Sequence, residues 1–247
     1  ITRQYNSMGA GYAGSFGFGW NTPFDERLGE LLDGTILWLS GTGAIVAFTK
    51  EADGFRAPAG QTYTLTESGD GFAVTDTVNL EKHLFNAYGQ LAALEDVCGN
   101  RTTLSYGMDG RLSAVTSPSG KIYMISLDGE NRISAIGLPD GNDIGYGYDK
   151  EGNLVTVTDE AGDILRFSYD SAHRMTAWYD ENANCVVENT YDEKGRVIRQ
   201  TDAEGGVVSL SYGDGRTETV DANGNHTVYY YDSSFRTTRI EYADGST

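Results

Sequence analysis

The sequence predicts an all-β fold, a curved, spiralling sheet of stacked β-hairpins, and three observations carry that prediction. The first is a repeated interval. Residues that close a β-prone run fall at Phe85, Tyr106, Leu127, Tyr148, Tyr169, Tyr191, Tyr212 and Tyr231, each about 21 residues after the last, and a fixed interval is the mark of a repeat architecture. The second is a turn position with the same spacing, occupied by Gly99, Gly120, Gly141, Gly162, Gly205 and Gly224, with Ala183 standing in the series. The third is composition: 32 Gly, 16 Tyr and only 4 Pro in 247 residues suit short strands and tight turns better than long helices.

In chain order, residues 1–76 read as an irregular β segment and residues 77–247 as the repeat array. The first segment opens on Arg3-Gln4-Tyr5-Asn6-Ser7 and a glycine/aromatic run, Ser15-Phe16-Gly17-Phe18-Gly19-Trp20. Alternating glycine with large rings lets one face bury the rings while another backbone approaches closely, so this strand either closes a sheet end or lies along an edge. Asp33-Gly34 and Gly41-Thr42-Gly43 then separate Leu31-Leu32, Thr35–Leu39 and Ala44–Phe48 as hairpin strands.

Each array unit holds two strands and two turns. One strand alternates at period 2, as in Ile144/Tyr146/Tyr148, Leu165/Phe167/Tyr169 and Val208/Leu210/Tyr212, with small or polar residues between, and so has one buried and one solvated face. The other strand spaces its apolar residues at i and i+3, as in Leu112/Val115, Ile133/Ile136 and Leu154/Val157. That is helical spacing, but the runs are short and bounded by turns, so a strand carrying a β-bulge is expected. An isolated hairpin is marginal in water. Stacking pairs the edges and aligns Tyr106, Tyr148, Tyr169, Tyr191, Tyr212 and Tyr231 into a ladder. Eight units make about sixteen strands, a sheet about 75 Å wide if flat, and sheets that wide twist and curl.

The net charge of −18, from 18 Lys+Arg against 36 Asp+Glu, argues against nucleic acid or an anionic membrane as partner. No apolar run is long enough to span a membrane as a helix. The acids concentrate in Asp-x-x-Gly turns, where a short side chain takes local backbone hydrogen bonds. Cys98 and Cys185 lie in different repeats and form no disulfide framework. His83, His173 and His226 lie apart, at no metal-ligand spacing, and read as turn or surface residues. Loops such as Asp180–Asn184 and Asp221–Asn225 lack a calcium-loop pattern. No nucleophile elbow, P-loop or dinucleotide motif is present, and repeated turns give carboxylates like environments where catalysis needs unlike ones. No catalytic, metal or cofactor-binding residue is therefore assigned. Adjacent rings on opposite faces, Trp178-Tyr179 and Tyr229-Tyr230-Tyr231, are the remaining binding candidates.

The recurring Tyr-Asp-x-x-Gly-Arg-Leu pattern, seen in Tyr191–Val197 and Tyr148–Leu154, resembles the YD repeats of the RHS (rearrangement hotspot) family, as does the opening Phe85–Leu91 followed by Asp96–Tyr106. The N-terminal motif, with Tyr5, Asn6, Phe16, Gly17, Gly19 and Trp20, is similar to the segment that precedes the repeats in bacterial RHS proteins. The resemblance implies a non-catalytic part of a hollow β-sheet shell, secreted or at the bacterial cell surface. Such a shell encloses a C-terminal toxin domain of the same full-length protein and delivers it to a competitor or host cell. Secretion-system components or cell-surface glycans are further partners it implies. The Asp-Pro-x-Gly self-cleavage motif and the toxin domain of the family do not occur in this sequence, which reads as the N-terminal portion of a larger shell. The competing expectation is an extracellular adhesion or carbohydrate-binding array, since aromatic-rich repeats of similar length also build cell-wall-binding solenoids.

Overall fold

Sixteen of the strands expected from the repeat interval belong to a longer sheet. The computed structural model describes residues 2–246 and contains no α-helix among them. Four two-residue strands come first: β1 (Gln4–Tyr5), β2 (Ala13–Gly14), β3 (Gly17–Phe18) and β4 (Trp20–Asn21), with β1 paired to β4 and β2 to β3. A four-stranded antiparallel sheet follows, β5 (Arg27–Glu30), β6 (Ile36–Leu39), β7 (Ile45–Glu51) and β8 (Gly54–Arg56).

The remaining 18 strands form one antiparallel sheet in chain order. They are β9 (Tyr63–Ser68), β10 (Gly71–Asp76), β11 (Lys82–Phe85), β12 (Leu91–Glu95), β13 (Arg101–Tyr106), β14 (Leu112–Thr116), β15 (Ile122–Leu127), β16 (Ile133–Gly137) and β17 (Asp143–Tyr148). They continue as β18 (Leu154–Thr158), β19 (Ile164–Tyr169), β20 (Met175–Tyr179), β21 (Cys185–Tyr191), β22 (Val197–Asp202), β23 (Val207–Gly213), β24 (Arg216–Val220), β25 (His226–Tyr231) and β26 (Thr237–Tyr242). A closed ring of these strands requires β26 to pair with β9. No register joins the two among the described residues, whereas every other neighbouring pair has one, so the sheet is a strip with two edges. It takes in Tyr63–Asp76, ahead of the division at residue 77 drawn from the repeat interval.

The i, i+3 spacing is explained by bulges. Tyr106 pairs with Leu112 and Ser105 with Ala114, so Ser113 is skipped and Leu112 and Val115 return to the same face. The same shift recurs beside Phe85, Leu127, Tyr148, Tyr169, Tyr191 and Tyr231. The exception is β23–β24, where Tyr212 pairs with Thr217 and Gly213 with Arg216 without a shift. Asp214-Gly215 is then a two-residue hairpin loop of the Asp-Gly kind, and its brevity shortens the step from Tyr212 to Tyr231.

The N-terminal segments cover one face of the strip. Ile36, Trp38, Val46 and Phe48 pack on Leu65, Val74, Phe85, Leu91, Leu104 and Val115. Phe16 and Trp20 pack on Ile125, Ile136, Tyr146, Val157 and Phe167. The cover thus extends over β9 to β20. Beyond it, no apolar residue after Ala177 is fully buried among the described residues.

Candidate functional site: the tyrosine-ladder face

The repeat motif is a set of hydrogen bonds that join a hairpin to the one before it wherever the ladder residue is tyrosine, which leaves out the unit closed by Leu127. A bulge leaves a carbonyl out of the ladder, and the ladder tyrosine of the next unit supplies its donor. Tyr106 donates to Leu91 O at 2.7 Å, Tyr148 to Ile133 O at 2.7 Å, Tyr169 to Leu154 O at 2.7 Å, Tyr191 to Met175 O at 2.6 Å and Tyr212 to Val197 O at 2.6 Å. Tyr231 makes a longer bond to Arg216 O, 3.2 Å, in an exposed setting. Burial raises the phenol pKa along the ladder, to about 12 at Tyr106 and Tyr191 and further at Tyr148 and Tyr169, so these hydroxyls remain donors at neutral pH.

The Asp and Arg of the motif build the turn. Asp170 accepts from Ala172 N at 2.9 Å and Arg174 N at 3.0 Å with one oxygen, and from Arg174 Nε at 2.7 Å with the other. Arg174 then lies over the ring of Tyr191, 4.9 Å from its centroid. Asp128–Arg132 under Tyr148 and Asp192–Arg196 under Tyr212 repeat the arrangement, at 4.3 and 4.2 Å. Burial raises the Asp170 pKa, but the Arg174 and backbone hydrogen bonds outweigh it and the net shift is downward. The glycines of the opposite rim, Gly99, Gly120, Gly141, Gly162, Gly205 and Gly224, all have φ between 81° and 92° in open space. Ala183 takes the same turn at φ 63°.

The unit at Asp149–Asn153 departs from this pattern where the N-terminal cover docks. Asn153 replaces the arginine, is 3% exposed, donates to Asp149 at 2.8 Å and meets His173 Nδ1 at 2.8 Å. His173 stacks on Phe18 at 3.8 Å. Tyr169, left without an arginine, accepts from the Trp20 indole at 2.9 Å and packs edge-on against Tyr5. Tyr5 donates to His173 O at 2.7 Å and accepts from Met175 N at 2.8 Å, while Ile133 N donates to Ser15 O at 2.8 Å. Gly17 has φ 84°, and a Cβ there would lie 2.4 Å from Gly152 O. Asn6 caps the following turn by accepting from Met8 N at 3.0 Å. Asp25, its pKa raised by burial, holds the cover's own fold through the Ser15 hydroxyl and amide and Thr22 N.

The histidines divide. His173 sits in a turn at φ 62°, and His226 is exposed beside Glu218. His83 corrects the sequence reading, because it is neither on a turn nor at the surface. Its side chain is 13% exposed on β11 and its Nδ1 lies 2.8 Å from Glu26 Oε2, which also accepts from the Trp38 indole at 3.1 Å. Desolvation lowers its pKa, but the hydrogen bond and charge of Glu26 outweigh it and the net shift is upward. No group of three or more potential metal ligands occurs among the described residues, and both cysteines are free and exposed.

The two faces of the strip differ in charge. The registers place Arg101, Arg166, Glu188, Arg199, Glu218 and Glu241 on the face opposite the ladder. Tyr179 and Tyr230 share that outer face. Trp178, at the end of the cover, and Tyr229, past it, lie on the ladder face, 37% and 38% exposed. There the ladder face also carries Asn189 and Gln200, hydrogen-bonded at 2.9 Å, where covered units have Phe167 and Val157.

The RHS repeat family model matches residues 128–164 and 148–182, the units whose bonds are described above. The chain carries RHS repeats. A second model, for a domain of unknown function (DUF6531), matches residues 1–48, the segment ahead of the RHS repeats that supplies much of the cover. A search of the curated proteins found no match. Among solved structures, the chain is similar to the Photorhabdus luminescens Tc holotoxin pore, with 14% identity over 86% of this chain and 15% of that one, at a TM-score of 0.35. It is similar to TcdB2-TccC3, with 13% identity over 86% and 16%, at 0.41. It is also similar to the TCP10 domain of Danio rerio CPAP bound to a STIL peptide, with 17% identity over 87% and 98%, at 0.25. At such low TM-scores these likenesses carry no functional weight. The chain spans less than a fifth of the length of the first two of these. No helix among the described residues is long and apolar enough to cross a membrane.

Proposed function

We propose that this chain is a segment of a non-catalytic RHS-repeat shell whose ladder face is the enclosed face. The shell holds a C-terminal toxin domain of the longer polypeptide for delivery to other cells, outside the cell that makes it. The separation of charge between the two faces carries this reading. From β13 to β26 the ladder face has one charged strand residue, Asp202 at the end of β22, whereas seven of the fourteen strands put a charge on the outer face: β13, β17, β19, β21, β22, β24 and β26. A wide strip that curls needs a solvated outer face, and the partly apolar face, whose strands carry fewer charges, is the one suited to an enclosed polypeptide. The chain already lays its own N-terminal segment on that face.

The test is limited proteolysis of the full-length protein beside its isolated C-terminal domain. Enclosure is expected to slow cleavage of the domain by at least about tenfold, since cleavage then requires the shell to open. Equal cleavage rates would refute the proposal.

A further inference from the structure

Seven turns of one rim, those joining β11–β12, β13–β14, β15–β16, β17–β18, β19–β20, β21–β22 and β25–β26, share a backbone bond in which the N–H of the first residue donates to the carbonyl of the fifth. Arginine is the fifth residue in five of them, as Arg111, Arg132, Arg174, Arg196 and Arg236. In the other two it is an amide that follows a glycine, Gly89-Gln90 and Gly152-Asn153. The N-terminal cover docks at both. Leu28 N donates to Gly89 O at 2.7 Å, Arg27 bridges Gln90, and a Cβ on Gly89 would stand 2.4 Å from Leu28 O. Three units on, a Cβ on Gly152 would stand 3.2 Å from the Phe18 ring. The arginines use their length to cover the next ring, Arg132 over Tyr148, Arg174 over Tyr191 and Arg196 over Tyr212, each held there by the aspartate of its own turn. The amides reach the next turn, Gln90 Nε2 donating to Gly110 O at 2.7 Å and Asn153 Oδ1 meeting His173 Nδ1 at 2.8 Å. No cation lies over the rings that follow them, Tyr106 and Tyr169, among the described residues. On those rings the cover packs its side chains: Tyr5 and Trp20 on Tyr169, and the cluster of Trp38 and Phe48 beside Tyr106. At Tyr148, which Arg132 covers, the segment passes with Gly17, whose Cβ would stand 3.3 Å from the ring.

We infer that the fifth residue of these turns is a docking code that places the N-terminal cover on a surface of similar repeats: an amide after glycine admits the cover, and arginine turns it away. A segment that packs on repeated rungs would otherwise fit as well one unit along. Laying an apolar ring on a rung that arginine covers would bury the guanidinium or pull it from its aspartate, and either is costly. The two amide turns lie three units apart, so both halves of the cover are placed at once. The code also accounts for where the cover stops. Arg174, Arg196 and Arg236 follow Asn153 with no further amide, and the ladder face from β21 onward stays clear of the chain's own N-terminal segment. The inference is independent of what the shell encloses, because the segment that reads the code is part of this chain.

The test follows the Trp20 Nε1–H signal of the whole chain by NMR, assigned by its loss in Trp20→Phe, and the rate at which a protease removes the N-terminal segment. The Trp38 indole signal and far-UV circular dichroism report on the rest of the fold. Asn153→Arg gives the turn the residue that its neighbours have, so the rest of the fold is expected to stay in place. The Trp20 signal should move to the position of a free indole, and cleavage of the segment should speed up at least about tenfold. Asn153→Gln carries the amide of the other docking turn and is expected to keep both readouts as in wild type. Arg196→Asn, beyond the cover, is expected to change neither. Asn153→Arg with the Trp20 signal and cleavage rate of wild type would overturn the code. Asn153→Gln behaving as Asn153→Arg would overturn it too, since the amide would then not be what is read. Loss of the Trp38 signal together with that of Trp20 in Asn153→Arg would also overturn it, because arginine would then break a turn that it builds in the neighbouring units.

Discussion

Replacing ladder tyrosines by phenylalanine one at a time removes a hydroxyl and leaves the ring, so the cost reads the hydrogen bonds alone. Tyr169→Phe loses the 2.7 Å donation to Leu154 O and also strands the Trp20 indole N–H, which donates to the same hydroxyl at 2.9 Å. A lost bond costs about 0.5–1.5 kcal/mol and a buried donor without a partner a further 1–3, so a total of about 2–4 kcal/mol is expected. Tyr212→Phe loses a single bond at a more open position, for about 1 kcal/mol. Tyr231→Phe loses only an exposed 3.2 Å bond and is expected to cost below about 0.5 kcal/mol. Equilibrium urea unfolding followed by far-UV circular dichroism gives the three values. If Tyr169→Phe costs no more than Tyr231→Phe, the hydroxyls do not join the repeats and the cover is not anchored through Trp20.

Three further substitutions test separate parts of the structure. Ala183→Gly places the residue a left-handed turn favours at φ 63°, and is expected to stabilise by about 0.5–1 kcal/mol in the same assay; a loss of stability would mean that the turn differs from its repeats. Gly17→Ala forces a Cβ against Gly152 O and a strained φ, so a cost of about 2 kcal/mol or more and faster proteolysis of the first 25 residues are expected. The raised His83 pKa means that the stability of its pair with Glu26 is full below the unfolded value near pH 6.5 and fades as pH rises through the folded value. The stability gap between wild type and His83→Gln should therefore narrow as the pH rises above the unfolded value of about 6.5, with Glu81 and Asp76 as the other nearby acids; a gap that stays constant removes the charged pair.

The array was legible because its signals are local and repeated. Period-2 strands, the i, i+3 spacing and the turn glycines each report one hairpin, and a bulge reconciles the first two in the registers of Tyr106 and Leu112. The short step before Tyr231 was visible as well, and its cause is the two-residue turn at Asp214-Gly215. The hairpin β9–β10 joins the sheet without a Tyr-Asp signature, its loop being Gly69-Asp70, so no interval marked it. The contacts of the cover were hidden because they join residues up to 170 positions apart, as between Tyr5 and Met175. One of them did leave a trace, for Asn153 stands where the neighbouring units have Arg132 and Arg174 and marks the unit on which Phe18 and His173 stack. Glu26 and His83 left none, since neither occupies a motif position and their pairing is made by the packing of Trp38 against the sheet.

The choice of the ladder face as the enclosed one is tested most directly by site-specific photo-crosslinking in the full-length protein. A benzoyl-phenylalanine at Leu210, on the ladder face beyond the cover, is compared with one at the neighbouring Ser209, which pairs with Arg199 on the outer face. Crosslinks from position 210 to the C-terminal domain, with none from position 209, are the expected result. Crosslinks from 209 and not 210, or equally from both, would contradict it.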